Sequence, residues 1–307
     1  MKHDIVILGV FVADTAYRAS RQPKMGETLL GSGFALGPGG KGSNQAVAAA
    51  RAGGDTAFLS KLGVDAFADM AMKTWEEAGV RAAVTQDSSS YTGAAYIFVE
   101  EGTGNNAIIV APGAAATISP ADMDLNADLI GSAKIFVTQL EQPLDAAKRA
   151  LEIARAGGAV TVLNPAPAQK LDASVFRLCD YVTPNETETE ILTGLPVTSV
   201  EEARVAAGKL LEMGVKTAII TLGAQGALYH SSTESVLVPA FKAGPVVETT
   251  GAGDAFNGGF AAALSKGMAP LDAVRFGSAV AGISVTRAGT APSMPSLAEV
   301  EALLAKG

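Results

Sequence analysis

The sequence predicts an α/β protein: a mostly parallel central sheet with helices on both faces, forming a three-layer sandwich. Three observations carry that expectation. From residue 119 onward, apolar runs of strand length alternate with amphipathic runs of helix length. Polar clusters stand just after the strand-like runs, where open α/β sheets bind their ligands. Two glycine-rich turns each open a helix of small residues.

Taken in order, 4–10 reads as a buried strand closed by Gly9, with Asp14 in the loop that follows. Residues 26–40 are rich in glycine with short alternating segments, which predicts small antiparallel strands rather than helix. The run Gly37-Pro38-Gly39-Gly40-Lys41-Gly42-Ser43-Asn44 is the first glycine turn, and a helix over 45–52 stops at Gly53-Gly54. It is not a P-loop, because Ala35 stands where the first glycine belongs and Gly42 follows the lysine. Its glycines allow close approach of a small polar ligand to the backbone, with Lys41 and Asn44 as side-chain contacts. A lysine in a solvated turn is the alternative.

A strand over 56–60, a helix over 65–78 and a hairpin pairing 94–99 with 106–110 come next. Then helix 120–130 precedes strand 135–138, and helix 143–156 precedes strand 159–163. Strand 181–183, helices 186–193 and 199–213, and strand 217–221 complete the alternation. Glu141, Asn164-Pro165, Asn185-Glu186-Thr187-Glu188 and Thr221-Leu222-Gly223-Ala224-Gln225-Gly226 each follow one of these strands. Singly, each also fits a helix cap or plain loop polarity. His3, His230, Cys179 and Trp75 read as structural residues, and the Ala-rich helices 45–52 and 255–264 as close-packing surfaces.

After a strand over 236–241 comes the second glycine turn, Thr249-Thr250-Gly251-Ala252-Gly253-Asp254. Two readings fit it. In one, Gly251 and Gly253 turn several N–H groups toward a point at a helix N-terminus, and Asp254 accepts the proton of an attacking hydroxyl. In the other, the glycines are a turn and Asp254 is an N-terminal helix carboxylate.

Composition narrows the function classes. At 307 residues there is chain for one large or two modest domains, and 48% apolar with 18% charged residues is an ordinary globular mixture. No apolar run reaches about 18 residues, so no membrane span is expected. The first residues run straight into a strand and lack the layout of a signal peptide. A single cysteine excludes an internal disulfide, and with two histidines it excludes a Cys/His zinc cluster. A reducing, cytoplasmic setting is expected. The net charge of −8 without a basic run argues against a nucleic-acid partner. No Gly-x-Gly-x-x-Gly follows the first strand, which argues against an NAD-dependent dehydrogenase.

Read together, the motifs resemble the ribokinase (PfkB-type carbohydrate kinase) family over about residues 5–300. The matching stretches are Gly39-Gly40-Lys41-Gly42-Ser43-Asn44, Glu248 to Asp254, Thr183-Pro184-Asn185-Glu186-x-Glu188 and Thr221-Leu222-Gly223-x-x-Gly226. The resemblance implies a single ribokinase-like domain over 1–307 with a small β-sheet lid, here about 11–37 and 91–110. It implies ATP- and Mg²⁺-dependent phosphorylation of a sugar hydroxyl, with Asp254 as base and the Gly251, Ala252 and Gly253 N–H groups as anion hole. Asp14, Gly40, Lys41, Asn44 and Glu141 match sugar-contacting positions. Asn185 and Glu188 match the pair that orients Mg²⁺ and phosphate, partly through water. Thr221, Leu222, Gly223, Ala224, Gln225, Gly226 and Ser278 match the nucleotide site. Glu248, Thr250, Ser284, Arg287, Gly289 and Ser293 match a K⁺ site, although Glu248 replaces the usual Asp. A homodimer through the lid is also implied.

One departure bears on the substrate. The family pattern Asn-x-Asp reads Val12-Ala13-Asp14 here. Val12 cannot pair a sugar hydroxyl, which points to a deoxypentose, another pentose or a nucleoside as the alternative; D-ribose stays the leading expectation because Asp14, Lys41, Asn44 and Glu141 are all present. For a nucleoside, Phe11, Tyr91 and Phe98 are the aromatic candidates for stacking the base.

Overall fold

Ile5–Leu8 (β1) is four apolar residues in a row, all buried, and its alternation feeds two cores at once. Ile5 and Ile7 join one cluster, Val6 and Leu8 the other. A strand reads as a continuous apolar run only when both faces of its sheet are covered. The computed structural model describes residues 3–306; Met1, Lys2 and Gly307, the ends of the expected domain, lie outside the described residues.

The chain continues through Val12–Ala19 (β2) and Gly33–Gly39 (β3) to Lys41–Arg51 (α1). Thr56–Leu62 (β4), Ala66–Ala78 (α2), Arg81–Gln86 (β5), Thr92–Glu100 (β6) and Asn106–Gly113 (β7) follow. Next come Pro120–Leu125 (α3), Ala127–Gly131 (α4), Ile135–Thr138 (β8), Leu144–Ala156 (α5) and Val160–Leu163 (β9). Ala173–Phe176 (α6), Tyr181–Val182 (β10), Glu186–Thr193 (α7), Val200–Glu212 (α8) and Thr217–Thr221 (β11) continue the alternation. Ala227–Ser231 (β12), Ser235–Val238 (β13), Ala252–Ser265 (α9), Pro270–Ser284 (α10) and Leu297–Leu304 (α11) complete it.

The large sheet has nine strands in the order β13-β12-β11-β10-β9-β8-β1-β4-β5. The pairs from β5 to β11 are all parallel, and the pairs β11–β12 and β12–β13 at one edge are antiparallel. A separate small sheet of four strands has the order β3-β2-β6-β7. It pairs β2 with β3 and β6 with β7 antiparallel, and β2 with β6 parallel.

Several boundaries differ from the sequence reading, each for a physical reason. Asp14 lies in β2 rather than in a loop, because β2 pairs on both sides within the small sheet. The first glycine turn is already helical at Lys41: the Asn44 N–H donates to the Gly40 carbonyl at 2.9 Å. Gly42, Ser43 and Asn44 are poor helix formers, but they are buried, and packing overrides propensity. The helix expected over 120–130 is two short ones, broken where Asn126 turns its amide back onto the Asp122 carbonyl at 2.8 Å. The expected strand 236–241 shortens to the edge strand β13, and Pro239 to Gly251 then cross without pairing in either sheet. Asp254 therefore does not follow a parallel strand as the other polar clusters do. Strands β5 and β12 and helices α6, α10 and α11 have no counterpart among the elements expected from the sequence.

Candidate active site

Helix α9 is capped by Gly251 at φ 82°, a left-handed conformation that side chains resist. That cap points the first N–H groups of α9, which have no partner within the helix, at one place. The Ala252 N–H partly closes a turn onto the Thr249 carbonyl at 3.1 Å, whereas Gly253 is exposed with open space beside it. Asp254, in the same first turn, is only 6% exposed.

Helix α1 comes to Asp254 because α9 packs on it without side chains between them. A Cβ on Gly258 would stand 2.5 Å from the Gln45 carbonyl oxygen and from the Ala48 Cβ. The expected close-packing role of the two small-residue helices is thus what the structure has. At the start of α1, Gly40 has φ 89°, and a Cβ there would lie 2.5 Å from the Val10 carbonyl oxygen. Trp75 on α2, fully buried, fixes the same turn by donating to the Ser43 hydroxyl at 2.9 Å.

The two oxygens of Asp254 are each met by an amide of α1. Asn44 Nδ2 donates to Oδ2 at 3.0 Å and Gln45 Nε2 to Oδ1 at 3.1 Å. The Asn44 Oδ1 is buried and unpartnered, an acceptor left over beside the carboxylate. The network runs deeper. Gln45 Nε2 also donates to Asn164 Oδ1 at 3.1 Å, and Gln139 Nε2 donates to Gln45 Oε1 at 2.6 Å. Asn164 Nδ2 reaches the Thr183 carbonyl at 3.0 Å, and the Thr183 hydroxyl donates to Asn257 Oδ1 at 2.6 Å. Asn257 returns to the Gly253 carbonyl at 2.8 Å. So the ends of β8, β9 and β10 are tied to the first turn of α9 by buried polar contacts.

The charges around this point are concentrated. Burial raises Asp254 above the ordinary carboxylate range, only partly offset by Lys41 and the two amides. Asp14 is pushed up to about 6, by burial first and then by Asp254 and Glu248. Glu141, which accepts the Lys41 backbone N–H at 2.8 Å, is pushed up to about 7 by burial despite the Lys41 charge. Burial also raises Glu188, against the pull of the Asn185 N–H and Lys41. For Lys41 burial favours loss of the proton, but Asp254, Glu141 and Glu188 together outweigh it and hold the ammonium charged. One lysine thus sits among carboxylates whose proton affinity burial raises, at the mouth of a helix that favours anions.

Asn185 and Glu188 form a reciprocal capping box at the start of α7: Asn185 Oδ1 accepts the Glu188 N–H at 2.8 Å, and Glu188 Oε2 accepts the Asn185 N–H at 2.9 Å. Asn185 also bridges Thr221 in parallel fashion, which sets the loop Leu222 to Gly226 beside the α7 N-terminus. That loop closes on itself through the Leu222 N–H and Gly226 carbonyl at 2.8 Å. Among the described residues no group of three or more His, Cys, Asp or Glu side chains is arranged to hold a metal.

The profile of the pfkB family carbohydrate kinases matches residues 2–297. The chain belongs to this family. Among its relatives, the ribokinase of Haemophilus influenzae is 38% identical over 97% of both chains. A deoxyribokinase of Salmonella typhimurium is 39% identical over 96% of both. The structure of Arabidopsis thaliana ribokinase complexed with ribose and ATP superposes with a TM-score of 0.94, at 30% identity and 99% coverage of each chain.

In this carbohydrate kinase, Asp254, Lys41, Asn44 and Glu141 lie together, and Asp14 on the small sheet feels the Asp254 and Glu248 charges. Glu248 is drawn to the segment after α10, where its carboxylate accepts the Gly289 N–H at 2.8 Å, and Gly251, next to Thr250 in the chain, lies against Thr290. Ser284 and Ser293 donate to the Ala281 and Thr290 carbonyls, and Arg287 pairs with Glu299. Ser278 is buried on α10. Of the aromatics considered for stacking a nucleoside base, Phe11 and Phe98 are 0% and 7% exposed, and Phe11 packs edge-on against Trp75. Apolar packing claims them, and only Tyr91 stays open at 57%. Sequence reasoning missed Gln45, Gln139, Gln142 and Asn257. Gln45 directly follows the first glycine motif and was the one with a local signal: a glutamine on an otherwise small, apolar helix face.

Proposed function

We propose that the protein is an ATP-dependent kinase that transfers the γ-phosphate to a hydroxyl of a pentose, with D-ribose to ribose 5-phosphate as the leading reaction. The observation that carries this reading is Asp254: a buried carboxylate in the first turn of α9, beside an unpartnered acceptor on Asn44. The acceptor hydroxyl donates to Asp254, which takes its proton as the oxygen attacks in line. Lys41, Asn44, Glu141, Gly40 and Asp14 hold the other hydroxyls. The N–H groups of Gly251, Ala252 and Gly253 stabilise charge on the transferred phosphoryl oxygens.

ATP lies, on this reading, along Asn185, Thr221, Leu222, Gly223, Ala224, Gln225, Gly226 and Ser278. The donor set fits Mg²⁺ held largely by phosphates and water, since it offers Glu188 and no all-protein cage among the described residues. Mg²⁺ supplies neutralisation of phosphate charge. The reading extends to a monovalent cation, K⁺ above Na⁺, between Glu248, Thr250 and the segment Ser284, Arg287, Gly289 and Ser293. It takes the small sheet as a lid of a single domain. A cytoplasmic location suits the lone, buried Cys179, and among the described residues no helix is long and apolar enough to cross a membrane.

A second reading, 2-deoxyribose as substrate, is favoured by Val12. It is two residues from Asp14 on β2, faces the same side of the small sheet, and is 5% exposed. The deciding experiment is a coupled ADP-release assay with ATP–Mg²⁺ against pentoses, deoxypentoses, hexoses and nucleosides, each in K⁺ and in Na⁺. Turnover of ribose or deoxyribose supports the proposal and ranks the two. Silence across the sugars with binding of ATP intact overturns it.

A further inference from the structure

Gln45 has more contacts than a filler of the α1–α9 interface needs. It is 0% exposed, and its carboxamide is used on both ends: two N–H bonds to Asp254 Oδ1 and Asn164 Oδ1, and one accepted bond from Gln139 Nε2. An amide facing a carboxylate can turn either its N–H or its oxygen toward it, and the two faces act with opposite sign. The choice here is made by neighbours. Gln139 is itself anchored where Gln142 Nε2 donates to the Gln139 carbonyl at 2.6 Å, beside β8. Its side chain runs through a gap where Gly9 and Gly42 meet, and a Cβ on either would come within 2.5–2.8 Å of Gln139 Oε1. Gln139 Nε2 donates to the Gln45 oxygen while its own Oε1 is buried without a partner, and the Asp254 carboxylate, which can only accept, takes a Gln45 N–H. Asn164 supports the same choice, because its Nδ2 is spent on the Thr183 carbonyl and its oxygen is left to accept.

We propose that Gln45 is a positioning residue for phosphoryl transfer: with Gln139 behind it, it donates to Oδ1 of Asp254, keeps that carboxylate ionised, and orients Oδ2 toward the acceptor hydroxyl. This rests on the sugar-kinase reading above. The charged groups facing Asp254 are Lys41 from α1, Asp14 from β2, Glu141 after β8 and Glu188 from α7. Burial and the three carboxylates oppose the ionised form, whereas Lys41 and the two α1 amides favour it.

The test is the pH dependence of turnover in Gln45→Met, which keeps the length of the side chain and removes its donors. A hydrogen bond to a charged group corresponds to roughly one to two pH units. The acid limb of kcat is expected to move up by about that much relative to wild type. At the pH optimum kcat falls by about 10–100-fold, whereas the KM for sugar and the binding of ADP change little. Gln139→Met leaves the donors but frees the Gln45 amide to turn, and a smaller shift in the same direction is expected; it serves if Gln45→Met does not fold. An acid limb that superimposes on wild type in a variant that folds and binds ADP overturns the proposal, however far kcat falls. Wild-type protein that binds ATP but turns over none of the sugars refutes the kinase reading instead.

Discussion

Replacing Asp254 by Asn tests the chemistry directly, because the structure separates its effects on catalysis and on folding. The variant loses the proton acceptor, and general-base catalysis accounts for roughly 10²–10⁴-fold in rate, or about 3–5 kcal/mol of barrier. The folding balance has two parts of opposite sign. Burial already raises the Asp254 pKa, so a neutral amide relieves the cost of a buried charge. Yet both carboxylate oxygens accept an N–H, from Asn44 at 3.0 Å and Gln45 at 3.1 Å, and an amide has only one oxygen. One of the two donors must then face an NH₂ group, at about 1–3 kcal/mol for the unsatisfied pair. The two parts oppose each other, so thermal stability should change far less than turnover, which collapses. ADP release with ATP–Mg²⁺ and saturating sugar, beside a melting curve and an ADP titration, reads all three quantities. Turnover within about tenfold of wild type, in a variant that melts and binds ADP normally, would refute Asp254 as the base.

Three further outcomes are expected. Val12→Asn supplies an amide on the Asp14 face of the small sheet and should shift the kcat/KM ratio of ribose over 2-deoxyribose toward ribose by about 5–100-fold; an unchanged ratio means residue 12 does not meet the sugar. Glu141, raised from 4.5 to about 7, keeps its proton in the folded state where the unfolded chain has lost it, so stability should fall as pH rises through that window. The full effect is about 3 kcal/mol above the window, and melting curves of Glu141→Gln should lack it; parallel curves for the two proteins count against the assignment. Tyr17, Phe34, Leu36 and Ile109 lie on the face of the small sheet opposite Asp14, exposed by 44–68%, as a homodimer through the lid requires. Sedimentation should give twice the 31.0 kDa chain mass for wild type and a monomer for Ile109→Lys, and a monomeric wild type would exclude that dimer.

Local signals in the sequence were sufficient for the architecture and for the charged members of the site. Four-residue apolar runs such as Ile5–Leu8 mean a strand buried on both faces, and glycines such as Gly40 and Gly251 mark turns whose backbone angles exclude side chains. These are one-dimensional properties, so Asp254, Lys41, Asn44, Glu141 and the α7 and β11 ends were all legible. Edge strands and late helices were less so: β5 and β12 lack the continuous apolar run of the central strands, and α10 carries small and apolar residues whose period is diluted by burial on several sides.

What the tertiary structure alone decided is which polar atoms face one another. Gln45 lies 209 positions from Asp254 in the chain and 94 from Gln139, and nothing in either neighbourhood announces the contact. It arises because Gly258 lets α9 settle onto α1 and because Gly9 and Gly42 leave room for one amide. The same holds for the proton affinities. Asp14 and Glu141 are ordinary carboxylates by composition, and folding moves them to about 6 and about 7 by taking water away and bringing charges close. Chemistry was written in residue types, but the direction of each hydrogen bond and the charge of each group came from distances that exist only once the chain has closed.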